Sequence, residues 1–216
     1  LAEDHADRLD TRYRDLAAPA GGGLTGPAMA ARGLRNTCLS LLTRLDPTAA
    51  QATGQFATAR NMTERLGALR CLVHFDAPSA PEALDAFRER SAADPLVTDK
   101  WLALVATRPA PEAIEDVQSL LQGRWWQATN PNRVRSILGS VSRMNPVAFH
   151  RADGAGYALL AGQLPELDAI NPQVAARLLG AFENHARLDD GRRRLARAQL
   201  QRLQATLRSR DCQDLL

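Results

Sequence analysis

The stretch Asn130-Pro131-Asn132-Arg133-Val134-Arg135-Ser136-Ile137-Leu138-Gly139-Ser140-Val141-Ser142-Arg143-Met144-Asn145-Pro146 decides the fold. It begins and ends on the same pair, an asparagine followed by a proline. Between the pairs, Val134, Ile137, Leu138 and Val141 fall at the spacing that puts them on one face of a helix. The asparagine side chain can accept a hydrogen bond from an orphan N–H of the first turn, and proline at the first helical position gives up no bond. The pair marks a helix start, and its recurrence marks the next one.

Outward from this stretch the same signal appears at Asp46-Pro47, Asp94-Pro95 and Asn171-Pro172, which with Asn130 and Asn145 predicts five helix starts. Two more starts read as capping boxes, Asn61-Met62-Thr63-Glu64 and Ser79-Ala80-Pro81-Glu82, where the glutamate can reach back to the cap N–H. Further apolar stripes at helical spacing are Val97, Trp101, Leu104 and Val105; Ile114, Val117, Leu120 and Leu121; and Leu200, Leu203 and Leu207. A first helix is predicted over 4–17. Ala18-Pro19-Ala20-Gly21-Gly22-Gly23 has a composition that cannot hold a helix and reads as a flexible loop, with helical pattern resuming after Pro27.

Composition agrees. Hydrophobic residues make up 45% of the 216 and charged residues 24%, the proportions of an ordinary globular chain, while aromatics are only 5% and alanine and leucine dominate. With roughly ten or more helices joined by short loops and no strand candidates, the choice is between a closed bundle and a stacked α-solenoid. Most helices keep a polar face, which favours the solenoid, built of degenerate helical pairs because no strict period is present. The expectation is an all-α single helical domain over 1–216, with a leading helix and Gly-rich loop in 1–26 and the solenoid in 27–216. The start at Leu1, without methionine, reads as a piece of a longer protein.

A net charge of +3 would point to nucleic acid if the cations were clustered, but outside the last helix they alternate with acids, as on solvated helix faces. Lys100 is the only lysine. Arg192-Arg193-Arg194, Arg197, Arg202 and Arg208 could in isolation bind an acidic surface; Asp189, Asp190 and the dispersed Leu195, Leu200 and Leu203 favour an amphipathic structural helix. Cys38, Cys71 and Cys212 are odd in number and widely spaced, which indicates neither a disulfide framework nor a thiolate site and makes a reducing, cytoplasmic setting the expectation. No apolar run is long enough to span a bilayer.

Catalytic motifs are missing. His5, His74, His150 and His185 include no two a helical turn apart and no His-Glu-x-x-His, so no complete zinc site is expected. His150 reads as a hydrogen-bonded structural residue beside a turn, Asp153-Gly154-Ala155-Gly156 as a turn entering the helix of Tyr157, and Cys38 as a small core residue rather than a nucleophile. Trp125-Trp126 is equally consistent with an exposed contact for another domain and with core anchoring.

Five stretches carry a resemblance: Arg32-Gly33-Leu34-Arg35-Asn36 running to Leu45; Leu84-Asp85-Ala86-Phe87 through Asp94-Pro95 to Trp101; Asn130-Pro131-Asn132-Arg133-Val134-Arg135; Asn145-Pro146 to His150 with Asp153 to Tyr157; and Asn171-Pro172-Gln173-Val174-Ala175-Ala176-Arg177. In order and spacing they resemble the C-terminal helical domain of bacterial aminopeptidase N, a gluzincin metallopeptidase. The likeness implies an armadillo-like α-α superhelix that closes over an upstream catalytic domain of the same polypeptide. The zinc ligands and general base belong to that upstream domain, so this chain is expected to hold no metal or cofactor, to carry out no catalysis alone, and to meet peptide substrates but neither nucleic acid nor membrane. The resemblance also implies that polar side chains here line the substrate chamber, at Arg135, Gln173 and Arg177. The Gly21-Gly22-Gly23 loop departs from the family pattern. Physically, Gln173 and Arg177 are four apart on one helix face, with Gln173 in the positive first turn, which suits carbonyls or a free carboxylate. The competing assignment for Arg135 and Arg177 is pairing with acids between helices. The rival function is a free-standing α-solenoid scaffold that binds a protein partner, and a third is a nucleic-acid binder using the final helix.

Overall fold

A computed structural model describes residues 3–20, 23–91 and 93–216, and every regular element among them is helical. The chain divides into two compact units, residues 1–93 and 94–216. The division falls at the Asp94 cap.

The first unit holds a 3-10 turn Glu3–His5, then α1 Ala6–Asp15, α2 Ala17–Ala20, α3 Gly26–Thr43, α4 Ala50–Thr58, α5 Met62–His74 and α6 Ala80–Ser91. Consecutive helices α4, α5 and α6 pack on one another, and α3 packs on α1, α2 and α5. Leu39, Leu69, Leu72 and Phe87 are sealed between them. A polar network runs across the packing. Arg35 of α3 donates to Tyr13 O at 3.3 Å, lies over the Tyr13 ring, and forms a partly buried ion pair with Glu64 of α5. Gln55 of α4 donates to Asn36 Oδ1 and to Glu64 O, both at 2.9 Å. Each residue is held by another, which offsets the cost of burying polar groups, although Gln55 Oε1 itself has no hydrogen-bond partner among the described residues.

Three local expectations change here. Ala17–Ala20 is a helical turn, because Arg32 reaches back and donates to Ala20 O and Gly23 O, both at 2.8 Å, and so caps carbonyls that the sequence left unpaired. Gly21 and Gly22, the centre of the expected loop, lie outside the described residues, while Gly23 sits in a turn with φ 81°. Asp46-Pro47 does not open a helix. The Asp46 carboxylate accepts from Thr48 N, Thr48 Oγ1 and Ala50 N, which closes a turn, and α4 begins only after Ala49 at φ 51°. At Asn61 the cap forms, with Glu64 N donating to Oδ1 at 2.9 Å, but the glutamate returns its bond to the Asn61 side-chain amide rather than to the backbone.

The second unit holds α7 Pro95–Ala106, α8 Ala113–Gln122, α9 Pro131–Val134, a π-helical turn Arg135–Gly139, α10 Ser140–Met144, α11 Pro146–Phe149, α12 Ala155–Ile170, α13 Pro172–Leu179, 3-10 turns Gly180–Phe182 and His185–Arg187, α14 Asp190–Thr206 and α15 Arg210–Gln213. The caps at Asp94, Asn130, Asn145 and Asn171 all form, each side-chain oxygen accepting from an N–H of the following turn. Val134, Leu138, Phe149, Tyr157, Leu160, Leu164, Leu178, Ala196 and Leu203 share one core. Asn145, 1% exposed, does more than cap: its Nδ2 donates to Ala106 O at 3.1 Å and Arg108 O at 2.7 Å, tying α11 to the end of α7. Asp168 of α12 likewise accepts from Arg208 N, Ser209 N and Ser209 Oγ, fixing the entry to α15. Burial alone would raise the Asp168 pKa, but these bonds outweigh it and hold the carboxyl below its usual range.

Candidate functional site

The helix opened by Asn130 runs to Met144 but widens at Arg135–Gly139 into a π-turn. In an uninterrupted α-helix, residues eight apart diverge by about 80° around the axis. The i→i+5 winding rotates less per residue and turns Arg135 and Arg143 toward a common side. Beneath it the stripe holds, for Val134, Ile137, Leu138 and Val141 are all buried. Arg133, 7% exposed, faces Asp99 of α7 with Nε 3.3 Å from Oδ1, an ion pair without hydrogen-bond geometry that pins the start of this helix.

Opposite stands α13. Asn171 accepts from Val174 N at 3.2 Å, Pro172 occupies the first helical position, and Gln173 and Arg177 follow one turn apart on the exposed side. Ala175, Leu178 and Leu179 face the core. Between the π-turn and α13 lies a cavity of about 450 Å³. Arg135, Gln173 and Arg177, the three residues singled out in the sequence, all line it, together with Arg143, Ser140, Met144, Val174 and Leu178. No carboxylate is in its wall among the described residues.

The polar contacts of these arginines are with neutral groups. Arg135 donates to Pro131 O at 3.3 Å and to Asn132 Oδ1, and Arg143 donates to Arg177 O. Among the described residues, neither Arg135 nor Arg177 forms an ion pair with an acid, which weighs against the inter-helix pairing considered for them. Arg135 and Arg177 over an apolar floor, with a helix N-terminus at one side, can hold a carbonyl or carboxylate oxygen through charge-assisted bonds. Neither the resemblance nor helix-face spacing points to Arg143, Ser140 or Met144. Their membership depends on the π-turn, which no residue of the stretch announces.

A larger cavity of about 710 Å³ lies in the first unit, but Arg32, Arg35, Gln55 and Glu64 in its wall are engaged with one another and with backbone. The other residues raised from the sequence lie outside the arginine-lined cavity. His150 Nδ1 lies 2.9 Å from Tyr157 Oη, and burial, then the nearby Arg192 charge, lowers the His150 pKa. Trp125 is half-buried at 5.4 Å from Trp101 with Arg124 over its face, and Trp126 packs against the core of the second unit, so the pair anchors the α8–α9 connection. In the basic helix α14, Arg192 pairs with Asp189 at 2.7 Å and Arg193 with Asp190 at 2.8 Å, while Ala196 and Leu203 enter the core. All three cysteines are free and buried. Among the described residues no group of three or more His, Cys, Asp or Glu could hold a metal ion, and no helix is long and apolar enough to cross a membrane.

Comparison with known proteins gives a consistent result. The family model described as "Domain of unknown function (DUF3458_C) ARM repeats" matches residues 1–216. The chain is 40% identical over 177 residues to aminopeptidase N of Caulobacter vibrioides, covering 81% of this chain and 20% of that protein. It is 39% identical over 177 residues to aminopeptidase N of Escherichia coli K12, again covering 81% of this chain and 20% of the relative. Among solved structures, Legionella pneumophila aminopeptidase A in complex with aspartic acid superposes with a TM-score of 0.84 at 28% identity, over 99% of this chain and 27% of that one. The chain thus spans about a fifth of the length of the curated relatives it matches. The all-α, armadillo-like class read from the sequence agrees with the ARM-repeat family and with the absence of strands among the described residues.

Proposed function

From the premise that this chain belongs to the DUF3458_C ARM-repeat family, carried by aminopeptidase N-like proteins, we propose that it is the non-catalytic C-terminal domain of a zinc aminopeptidase. In this reading it closes the chamber in front of the upstream catalytic domain, limits entry to peptides, and contributes Arg135, Gln173 and Arg177 to the lining. The observation that carries the reading is the cavity between the π-turn and α13, which gathers these three side chains with no acid among them.

The physical role follows from the charges. A peptide held by its N-terminus at a remote metal leaves carbonyls and a free carboxylate pointing away from the chemistry. Guanidinium groups on a partly apolar wall bind such oxygens without reacting with them. Binding energy at this distance positions the peptide and lowers KM, and it contributes to kcat only where the contact strengthens in the transition state. The zinc and its general base would come from the upstream domain in this reading.

The test is hydrolysis of alanyl-p-nitroanilide by this domain alone with added zinc, and by the separately expressed catalytic portion with and without it. Silence alone and restored or reshaped activity on mixing is the expected result. Activity of the domain alone would overturn the non-catalytic assignment, and no effect in any combination would favour a free-standing scaffold.

A further inference from the structure

Arg143 is the cation on the cavity wall that neither resemblance nor spacing brought forward. It stands at the end of α10, and its guanidinium reaches across to donate to the backbone carbonyl of Arg177, thirty-four residues further on. That carbonyl belongs to the last turn of α13, where carbonyls lack intrahelical donors and carry the negative end of the helix. Gly180 follows directly. A Cβ built there would lie 3.0 Å from Arg143 Nη2, and the residue has ordinary helical dihedrals, φ −58° and ψ −10°. The backbone therefore does not call for glycine at 180, and what glycine supplies is room for the guanidinium.

We propose that Arg143 is a positioning residue: by gripping the Arg177 carbonyl across the cavity, in space that Gly180 leaves free, it fixes the last turn of α13 and so aims the Arg177 side chain at the ligand. It acts through the backbone of its neighbour rather than on the ligand itself. The proposal rests on the reading of this cavity as substrate-lining. The geometry gives it a distinct signature. Leu178, Leu179 and Phe182 anchor the inner side of this segment in the core, so loss of Arg143 is expected to spare the fold and to release only the exposed side of the turn, where residue 177 stands.

The experiment uses the full-length polypeptide that contains this chain and a tripeptide with a free carboxylate, with KM and kcat measured separately for R143Q, R143K, G180A, R177Q and R143Q/R177Q. R143Q is expected to raise KM about five- to tenfold with kcat unchanged, the pattern of a lost ground-state contact. R143K should recover part of the loss, and G180A, which keeps every charge, should shift KM in the same direction. In the R177Q background, R143Q should add nothing, because a residue that acts only by aiming Arg177 has nothing left to aim. An undiminished R143Q effect in that background, or no R143Q effect where R177Q raises KM, would overturn the positioning role alone. An unchanged KM in R177Q would overturn the substrate-lining reading beneath it.

Discussion

Asn145 and Asn171 carry the same sequence signal, an asparagine followed by proline, yet the structure assigns them very different loads. Asn171 contributes through its side chain one cap bond, to Val174 N. Asn145, almost completely buried, accepts from Ala148 N at 3.1 Å and also donates to Ala106 O and Arg108 O. Replacing either by alanine removes a cap at about 1 kcal/mol. N145A additionally strips two carbonyls of a donor, each worth about 1 kcal/mol, for a total of about 3 kcal/mol against about 1 for N171A. For a domain of this size that is about 6–12 °C in Tm. N145D sharpens the test, because a carboxylate keeps the cap but cannot donate, and it should not rescue the alanine variant. Urea denaturation followed by circular dichroism measures all three. If N145A costs no more than N171A, or N145D restores wild-type stability, the assignment of the two donor bonds is wrong.

Two further predictions follow from the same reasoning. G156A should be among the most damaging small substitutions, because its Cβ would fall 2.3 Å from Phe149 O, a backbone atom that cannot step aside; a loss of about 3 kcal/mol or more in the same denaturation assay is expected. His74 is half-buried, and burial, with the Arg70 charge adding to it, lowers its pKa to about 4. The unfolded chain then binds the proton first, so stability should fall as pH drops from about 6.5 toward 4, by about 1–2 kcal/mol once solvent screening is allowed for. H74Q should flatten that segment of the pH–stability curve, and an unchanged slope would remove His74 as its source.

The element types were legible because caps and apolar stripes are local signals, and local signals survive folding. Four Asx-Pro pairs opened helices where expected. Asp46 did not, because Thr48 offers it a hydroxyl and an N–H in a turn, a competition that the dipeptide alone does not reveal. The helical turn at Ala17–Ala20 depends on Arg32 folding back from α3, a contact twelve residues away that no composition rule anticipates. For the candidate site, resemblance points to Arg135, Gln173 and Arg177 and helix-face spacing adds support for the last two, and all three line one cavity. Arg143 escaped because at α-helical winding it lies about 80° round the axis from Arg135, and the π-turn that narrows this angle keeps the same buried stripe and so leaves no trace in the hydrophobic pattern.

The buried cysteines have a practical consequence. Cys38 and Cys71 lie in the first unit and Cys212 in the second, each at most 3% exposed, with burial raising the pKa of every one. A thiol-reactive dye therefore reports only on transient opening, and mass spectrometry can tell which sulfur has been modified. The chain carries an internal stopwatch for each half of itself, able to show whether the unit bearing the arginine cavity breathes on the same schedule as its neighbour.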